Sequence, residues 1–189
     1  MLKHPYAGRG PKQSGSKARW DVLAELVQEH QLKRLVEVGV KAGRLSCELM
    51  QRVPTDCHLT CVDPWLPFAS FPELKQNHLD KAEQTFDRIA GWFPGRITKV
   101  KLPSVEAAQR YGDGSFDLVF IDANHDYSYV IADIDAWLPK VRKGGILSGH
   151  DFDNTEKYGN RFKGVDRAVQ ERFAGRFSVA EDSVWWLRV

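Results

Sequence analysis

Apolar and polar positions along the chain alternate between two periods. Short apolar runs that end at glycine, aspartate or proline are typical of buried strands, and between them apolar residues recur every three or four positions, as in amphipathic helices. The runs that predict strands cover residues 34–39, 58–63, 97–102, 116–122, 146–151, 177–180 and 184–189. The stretches that predict helices cover residues 16–31, 43–53, 73–93, 126–141 and 163–173, and Ser104 opens a further short helix. This alternation predicts an α/β fold: a doubly wound, mostly parallel, Rossmann-like sheet of seven strands with helices on both faces and the last strand antiparallel.

The predicted helix over residues 126–141 has a cationic end. Lys140, Arg142 and Lys143 stand where positive charge suits the helix dipole, and the pair Gly144-Gly145 is expected to stop the helix.

The 189 residues, of which 42% are hydrophobic, fit one domain with a substantial core. Residues 1–33 are predicted to form a basic N-terminal arm and a leading helix, and residues 34–189 the domain itself. The arm contacts an anionic ligand or is a solvated tail, and the tail is favoured because terminal charge runs are usually solvated. Its cations are Lys3, Arg9, Lys12, Lys17 and Arg19.

Charge and composition exclude some classes of partner. Lys and Arg number 27 against 25 Asp and Glu, so no overall field favours nucleic acid or an anionic membrane surface. No apolar run reaches membrane-spanning length and no secretory signal is visible, so a cytoplasmic protein is expected. Cys47, Cys57 and Cys61 lack the paired spacing of a zinc site and are predicted to be core thiols.

Ligands of a doubly wound sheet bind beyond the carboxyl ends of its strands. The first such loop reads Glu37-Val-Gly39-Val-Lys-Ala-Gly43. A dinucleotide fingerprint would need glycine where Lys41 and Arg44 stand, so NAD is disfavoured. An acid followed by two glycines suits a smaller ligand that carries a carboxylate, and a plain strand-to-helix turn is the alternative.

The second loop begins at Asp63, at the spacing from which an acid in this fold binds a ribose diol. Trp65 follows it and either stacks on an adenine or covers the core, and the core is favoured.

The third and fourth loops place Asp122, His125 and Asp151 at the ends of neighbouring strands. Two convergent carboxylates repel one another unless they share a proton or a cation, and Mg²⁺ is the natural partner. In the alternative, Asp122 caps the following helix and Asp151 pairs with a lysine or arginine.

These blocks together resemble the class I S-adenosylmethionine-dependent methyltransferases. The nearest resemblance is to small bacterial members related to the macrocin and mycinamicin sugar O-methyltransferases and, more distantly, to catechol-type O-methyltransferases. It covers about residues 34–173. The blocks that carry it are Glu37-x-Gly39-x-x-x-Gly43, Asp63-Pro64-Trp65, residues 116–127, residues 133–145 and Gly149-His150-Asp151.

The resemblance implies S-adenosylmethionine as the cofactor. The residues that it implies as contacts are Glu37, Gly39 and Gly43 at the methionine end, Asp63 at the ribose, Ser104 and Val105 near the adenine, and Asp122. It also implies divalent-metal-dependent O-methylation of a small hydroxyl-bearing molecule, such as a sugar or phenol. Asp122 and Asp151 would then hold the metal, with His125 as the general base. A homo-oligomer is left open.

Two departures from the family pattern concern the metal. Phe152 stands where the catechol-type enzymes have asparagine, and His150 stands where the macrolide sugar enzymes have an acid. His150 therefore supplies the third ligand, orients Asp151 or does neither. The rival functions are a relative with a hydroxylase-like reaction and a non-catalytic cofactor-binding domain, since fold does not fix chemistry.

Overall fold

A computed structural model describes residues 16–69, 72–153 and 163–189 of the chain. Its centre is one seven-stranded sheet with the order β3-β2-β1-β4-β5-β7-β6. The strands are β1 Arg34–Val38, β2 His58–Val62, β3 Ile97–Val100, β4 Phe116–Ile121, β5 Val141–Gly149, β6 Ser178–Ala180 and β7 Val184–Arg188.

All pairings among the first five strands are parallel, and β7 runs antiparallel to both β5 and β6. The predicted fold class is therefore confirmed. From β1 the chain winds outward through β2 and β3 and then returns to β4 on the other side of β1. The carboxyl ends of β1 and β4 thus flank the switch point at which ligands bind in such sheets.

Helices cover both faces of the sheet, and each face has its own apolar cluster. The helices are α1 Arg19–Glu29, α2 Arg44–Met50, α3 Gln76–Ala90, α4 Ser104–Ala108, α5 Tyr127–Trp137 and α6 Lys163–Phe173. The first three contribute to one cluster and the last three to the other. Side chains of β1 alternate between the two, with Leu35 in the first and Val36 in the second, as the two-residue period of a strand requires.

The chain departs from prediction after α5. That helix ends at Trp137, a 3-10 turn covers Leu138–Lys140, and β5 already begins at Val141. Residues 141–145, predicted as a helix end and its stop, therefore belong to a strand. The pairing of β5 with β4 begins with Val141 opposite Phe116, and its register shifts before Leu118. This shift is a bulge, and the Gly144-Gly145 pair contributes the conformational freedom that it needs.

The cysteine prediction is confirmed, because Cys47, Cys57 and Cys61 are buried free thiols. Within the described ranges no helix combines the length and apolar character that a membrane crossing needs.

Asp117 joins the starts of three strands. Its Oδ2 accepts the backbone N–H groups of Lys33 and Arg34 at 2.9 and 2.8 Å, and its Oδ1 accepts Nε of Arg142 at 2.6 Å. Burial raises the pKa of this carboxyl, but the two N–H groups and the guanidinium groups outweigh it and hold the pKa at about 2. One carboxylate thus fixes β1 and β5 to β4 at the end of the sheet opposite the ligand loops.

We expect Asp117→Asn to lower the free energy of unfolding by roughly 2–3 kcal/mol, because it leaves buried donors poorly paired. The folded-state pKa lies below the ordinary value of 3.8, so this stabilisation is present above about pH 4 and is lost as the pH falls towards 2. Urea unfolding of both proteins at pH 7 and pH 3 measures the difference. Asp113→Asn is the control, since Asp113 is an exposed aspartate whose ion-pair partner among the described residues is Lys140. An equal effect of both substitutions would contradict the role of Asp117.

Candidate active site

A cavity of about 980 Å³ opens at the carboxyl ends of β1, β2 and β4. Most residues predicted to bind a ligand line it. These are Glu37, Gly39, Asp63, Ser104, Val105, Asp122 and His125. Gly43 is not among the lining residues. It lies at the N-terminus of α2 with φ 72°, where a Cβ would come within 2.8 Å of the Phe86 ring.

Gly39 lets the loop after β1 approach the end of β4. Its φ is 91°, and a Cβ at this position would lie 2.2 Å from the carbonyl oxygen of Asp122. The Gly39 N–H donates to the carbonyl of Val62, and the Asp122 N–H donates to that of Val38. The glycine therefore lets the first and third loops meet closely at the base of the cavity, and it adds no side chain that would fill the space for a ligand.

Asp63 organises the first loop. One carboxylate oxygen accepts the N–H groups of Val40 and Lys41 at 2.9 and 2.8 Å, and the other accepts the N–H of Trp65 at 2.7 Å. The Trp65 ring is fully buried in the core, as the favoured interpretation predicted, and its Nε1 donates to the carbonyl of Lys41.

Glu37 places a buried carboxyl in the wall of the cavity. Only 2% of the residue is exposed, and the Ser46 hydroxyl donates a hydrogen bond to it. Burial is the main cause that raises the pKa of Glu37 to about 8, against the hydrogen bond from Ser46 and the charge of Arg19. No ion pair neutralises it among the described residues, so a cationic group entering the cavity would find its partner here.

At the other end of the cavity, Ser104 and Val105 lie beside Asp133, a residue to which the sequence assigned no role. Trp137 Nε1 donates to the Ser104 hydroxyl at 2.9 Å. Burial raises the pKa of Asp133 to about 6, although a hydrogen bond with Ser104 opposes the shift. Asp133 follows Val130 by three positions and so lies on the apolar face of α5, which is the signal that could have identified it.

Asp122, His125 and Asp151 meet at the ends of β4 and β5. His125 Nε2 lies 2.9 Å from Asp151 Oδ2 and 3.6 Å from Asp122 Oδ1. Burial lowers the pKa of His125, but the two carboxylates outweigh it and raise the pKa to about 9. The predicted convergence of the two aspartates is confirmed. The capping alternative fails, because α5 begins after Asp126, whose N–H is held by Asn124.

His150 contacts the same carboxylates from the other side. Its Nδ1 lies 3.0 Å from Asp151 Oδ1 and 3.9 Å from Asp122 Oδ1. Asp151 has a φ of 61°, in the left-handed region that aspartate tolerates better than most residues. This turn directs its carboxylate between the two imidazole rings.

Arg19 lines the cavity, although its place in the sequence predicted a solvated tail. Its Nη1 lies 3.0 Å from Asp122 Oδ2 and 3.1 Å from His150 Nδ1, and 26% of its side chain is exposed. The prediction of a solvated tail is therefore wrong for Arg19. Lys17 is exposed and pairs with Glu25 at the surface. The remaining arm cations, Lys3, Arg9 and Lys12, lie outside the described residues.

The side chains at this end of the sheet fit a divalent cation. Asp122, His125 and Asp151 each offer one ligand atom, and these atoms lie within 4.8 Å of one another. Carboxylate oxygens suit Mg²⁺ completed by water, and the imidazole also admits Mn²⁺ or Zn²⁺. Among the described residues His150, the candidate third ligand, is not part of this group.

Residues 36–152 match the family described as a methyltransferase domain. The match covers more than half of the chain, from β1 to the residue after Asp151, so it includes the four loops that carry most of the site. The chain belongs to this methyltransferase-domain family.

A relative from Mycobacterium ulcerans (strain Agy99), which carries an O-methyltransferase name, is 30% identical over 120 residues, or 62% of this chain and 47% of the relative. The chain thus spans about half the length of that protein. Two solved structures share the fold. The O-methyltransferase from Bacillus cereus in complex with SAH aligns with a TM-score of 0.61 and 19% identity, over 97% of this chain and 86% of that one. The O-methyltransferase TomG from Streptomyces achromogenes in complex with SAM gives 0.57 and 21%, over 95% and 83%.

Proposed function

We propose that the protein is an S-adenosylmethionine-dependent methyltransferase that methylates a hydroxyl oxygen of a small molecule with the help of a divalent cation. The observation that carries the proposal is the meeting of Asp122 and His125, which line the cavity, with Asp151. The rest of that cavity holds the residues that family resemblance assigns to the cofactor. The family match and the names of the relatives support the same class of reaction.

The cavity offers a partner for each part of the cofactor, whose sulfonium would supply the methyl group. Glu37 would hold the ammonium of the methionine end, and Gly39, which has no side chain, would leave room for the chain that carries it. Asp63 holds the first loop in place and retains acceptor capacity for a ribose hydroxyl. Ser104, Val105 and Asp133 line the end assigned to the adenine.

The chemistry required of the protein is alignment of the acceptor and removal of its proton. Methyl transfer is an in-line displacement, so the hydroxyl must be held close to the methyl carbon and partly deprotonated. His125 is the proposed base because its imidazole lines the cavity beside Asp122. The two carboxylates raise its pKa to about 9, and a cation bound to them would lower that pKa, so that the imidazole could accept a proton near neutral pH.

Asp122 and Asp151 are the proposed metal ligands. A divalent cation bound to these carboxylates would lower the pKa of the acceptor hydroxyl. It would also neutralise the two carboxylates, which His125 and Arg19 do in the structure. His150 stays a candidate third ligand, and its 3.0 Å contact with Asp151 favours a role in orienting that carboxylate.

The test is calorimetry with S-adenosylhomocysteine followed by transfer of a labelled methyl group from S-adenosylmethionine to a panel of sugar and phenol hydroxyls, with and without EDTA. Micromolar binding and EDTA-sensitive transfer are the expected results. Absence of binding would exclude the methyltransferase. Binding without transfer to any acceptor would favour the hydroxylase-like or non-catalytic relative, and transfer insensitive to EDTA would remove the metal from the proposal.

The raised pKa of Glu37 predicts that cofactor binding releases a proton. Its carboxyl is largely protonated below its pKa of about 8, and an ammonium beside it favours the ionised form. We therefore expect proton release when S-adenosylhomocysteine binds at pH 7, and no release above about pH 9. Calorimetry in buffers of different ionisation enthalpy measures the number of protons.

Glu37→Gln should abolish this release and weaken binding by roughly tenfold or more, the loss expected for a charge-assisted contact. Glu48→Gln is the matched control, since Glu48 lies on α2 and pairs with Arg52. Proton release that persists in Glu37→Gln would contradict the assignment.

A further inference from the structure

Arg19 reaches the site from the N-terminus of α1, and its contacts leave one edge of the guanidinium unused. All of its side-chain hydrogen bonds to described residues are made by Nη1, to Asp122 and to the His150 ring. Its Nε is buried and has no hydrogen-bond partner among those residues. A buried N–H without a partner has lost its hydrogen bonds to water without replacement.

The unused edge has a defined chemistry. Nε and Nη2 present two parallel N–H groups, the geometry in which arginine binds a carboxylate through two hydrogen bonds. Arg19 also lines the cavity. The backbone N–H of Arg19 donates to Asp182 Oδ2 at 3.0 Å, and this bond holds the start of α1 over the site.

The surrounding charges indicate what the ligand would carry. Arg19 and the buried Glu37 line the same cavity, and the charge of each affects the other. Arg19 and His125 lie at opposite oxygens of Asp122. A molecule with an ammonium at Glu37, or with a hydroxyl at His125, would therefore lie beside the guanidinium of Arg19.

We propose that the Nε/Nη2 edge of Arg19 binds a carboxylate of one of the two reacting molecules. The inference rests on the proposed function, which supplies those molecules. One source is the amino-acid end of the cofactor, whose carboxylate is one carbon away from the ammonium assigned to Glu37. The other is the acceptor, which would then be a hydroxy acid.

The first arm of the test compares S-adenosylhomocysteine with its decarboxylated analogue. If the cofactor is the source, the wild-type protein binds S-adenosylhomocysteine about 10- to 100-fold more tightly than the analogue, and Arg19→Gln removes this preference. Arg19→Lys keeps the charge near Asp122 but lacks the planar fork, so it should lose most of the preference as well.

The second arm compares acceptors with and without a carboxylate. The pairs are 3,4-dihydroxybenzoate with its amide, and glucuronate with glucuronamide. If the acceptor is the source, both Arg19 variants bind S-adenosylhomocysteine normally, and the wild-type preference in kcat/KM for the acid of a pair disappears in the variants.

Arg88→Gln is the control, because it makes the same charge change at an exposed position of α3 outside the cavity lining. Thermal unfolding establishes that each variant is folded. The proposal is overturned if the wild-type protein binds S-adenosylhomocysteine but Arg19→Gln changes neither the cofactor preference nor an acceptor preference. Failure of the proposed function is a separate result, in which the wild-type protein itself does not bind S-adenosylhomocysteine.

Discussion

His125→Ala is expected to lower kcat for methyl transfer by about 10²- to 10⁴-fold, the range for loss of a general base. Its affinity for S-adenosylhomocysteine should stay within about threefold of the wild-type value. The difference arises because His125 contacts the carboxylates at the ends of β4 and β5, whereas the ammonium, ribose and adenine partners lie on other loops. Steady-state transfer to an acceptor found in the panel measures kcat, and calorimetry measures affinity.

The exposed histidine of α3, His78, provides the control for this substitution. His78→Ala should leave both quantities unchanged. Near-normal transfer by His125→Ala would refute the base assignment. Loss of cofactor affinity equal to the loss of transfer would instead give His125 a structural role, because Asp122 and Asp151 repel one another once the imidazole between them is removed.

The convergence of Asp122, His125 and Asp151 could be predicted from the sequence because it depends on two general regularities. Strongly apolar strands mark where a parallel sheet runs, and the carboxyl ends of neighbouring parallel strands meet at one edge. The same regularities predicted Glu37 and Asp63 in ligand loops, and the family resemblance added Ser104. The structure has all three around one cavity.

The start of β5 was predicted wrongly because the local sequence signals are those of a helix end. Lysines and an arginine followed by two glycines suit the last turn of a helix and its stop. Tertiary pairing overrides these signals. Val141 pairs with Phe116, and Arg142 donates to Asp117, so the segment gains ladder bonds and an ion pair that no local pattern encodes.

Arg19 could not be placed from the sequence because its contact with Asp122 spans 103 positions. Whether a cation at the start of a helix points to solvent or to a site depends on how that helix docks. The docking of α1 is set by its apolar face, with Leu23 and Val27 fully buried, and by the bond from the Arg19 backbone to Asp182. The hairpin of β6 and β7, whose turn contains Asp182, therefore takes part in positioning the candidate active site.

Gly39→Ala is expected to remove cofactor binding and to lower stability by several kcal/mol. Two costs add. A residue with a Cβ at φ 91° is strained by roughly 1–3 kcal/mol. The Cβ would also lie 2.2 Å from the carbonyl oxygen of Asp122 and 2.7 Å from the Cα of Ala123, and both are backbone atoms that cannot turn away. The loop after β1 or the end of β4 must move, and this movement displaces Asp122 from His125.

Gly95→Ala separates the two costs. Gly95 also has a positive φ, of 73°, but a Cβ there meets nothing within 4 Å. It should therefore carry the backbone strain alone and bind S-adenosylhomocysteine like the wild-type protein. Urea unfolding and calorimetry of both variants give the comparison. If Gly39→Ala is as stable as Gly95→Ala and still binds, the close approach of the first and third loops is not what shapes the cavity. If the difference is several kcal/mol, that approach links the stability of the sheet to the geometry of its site.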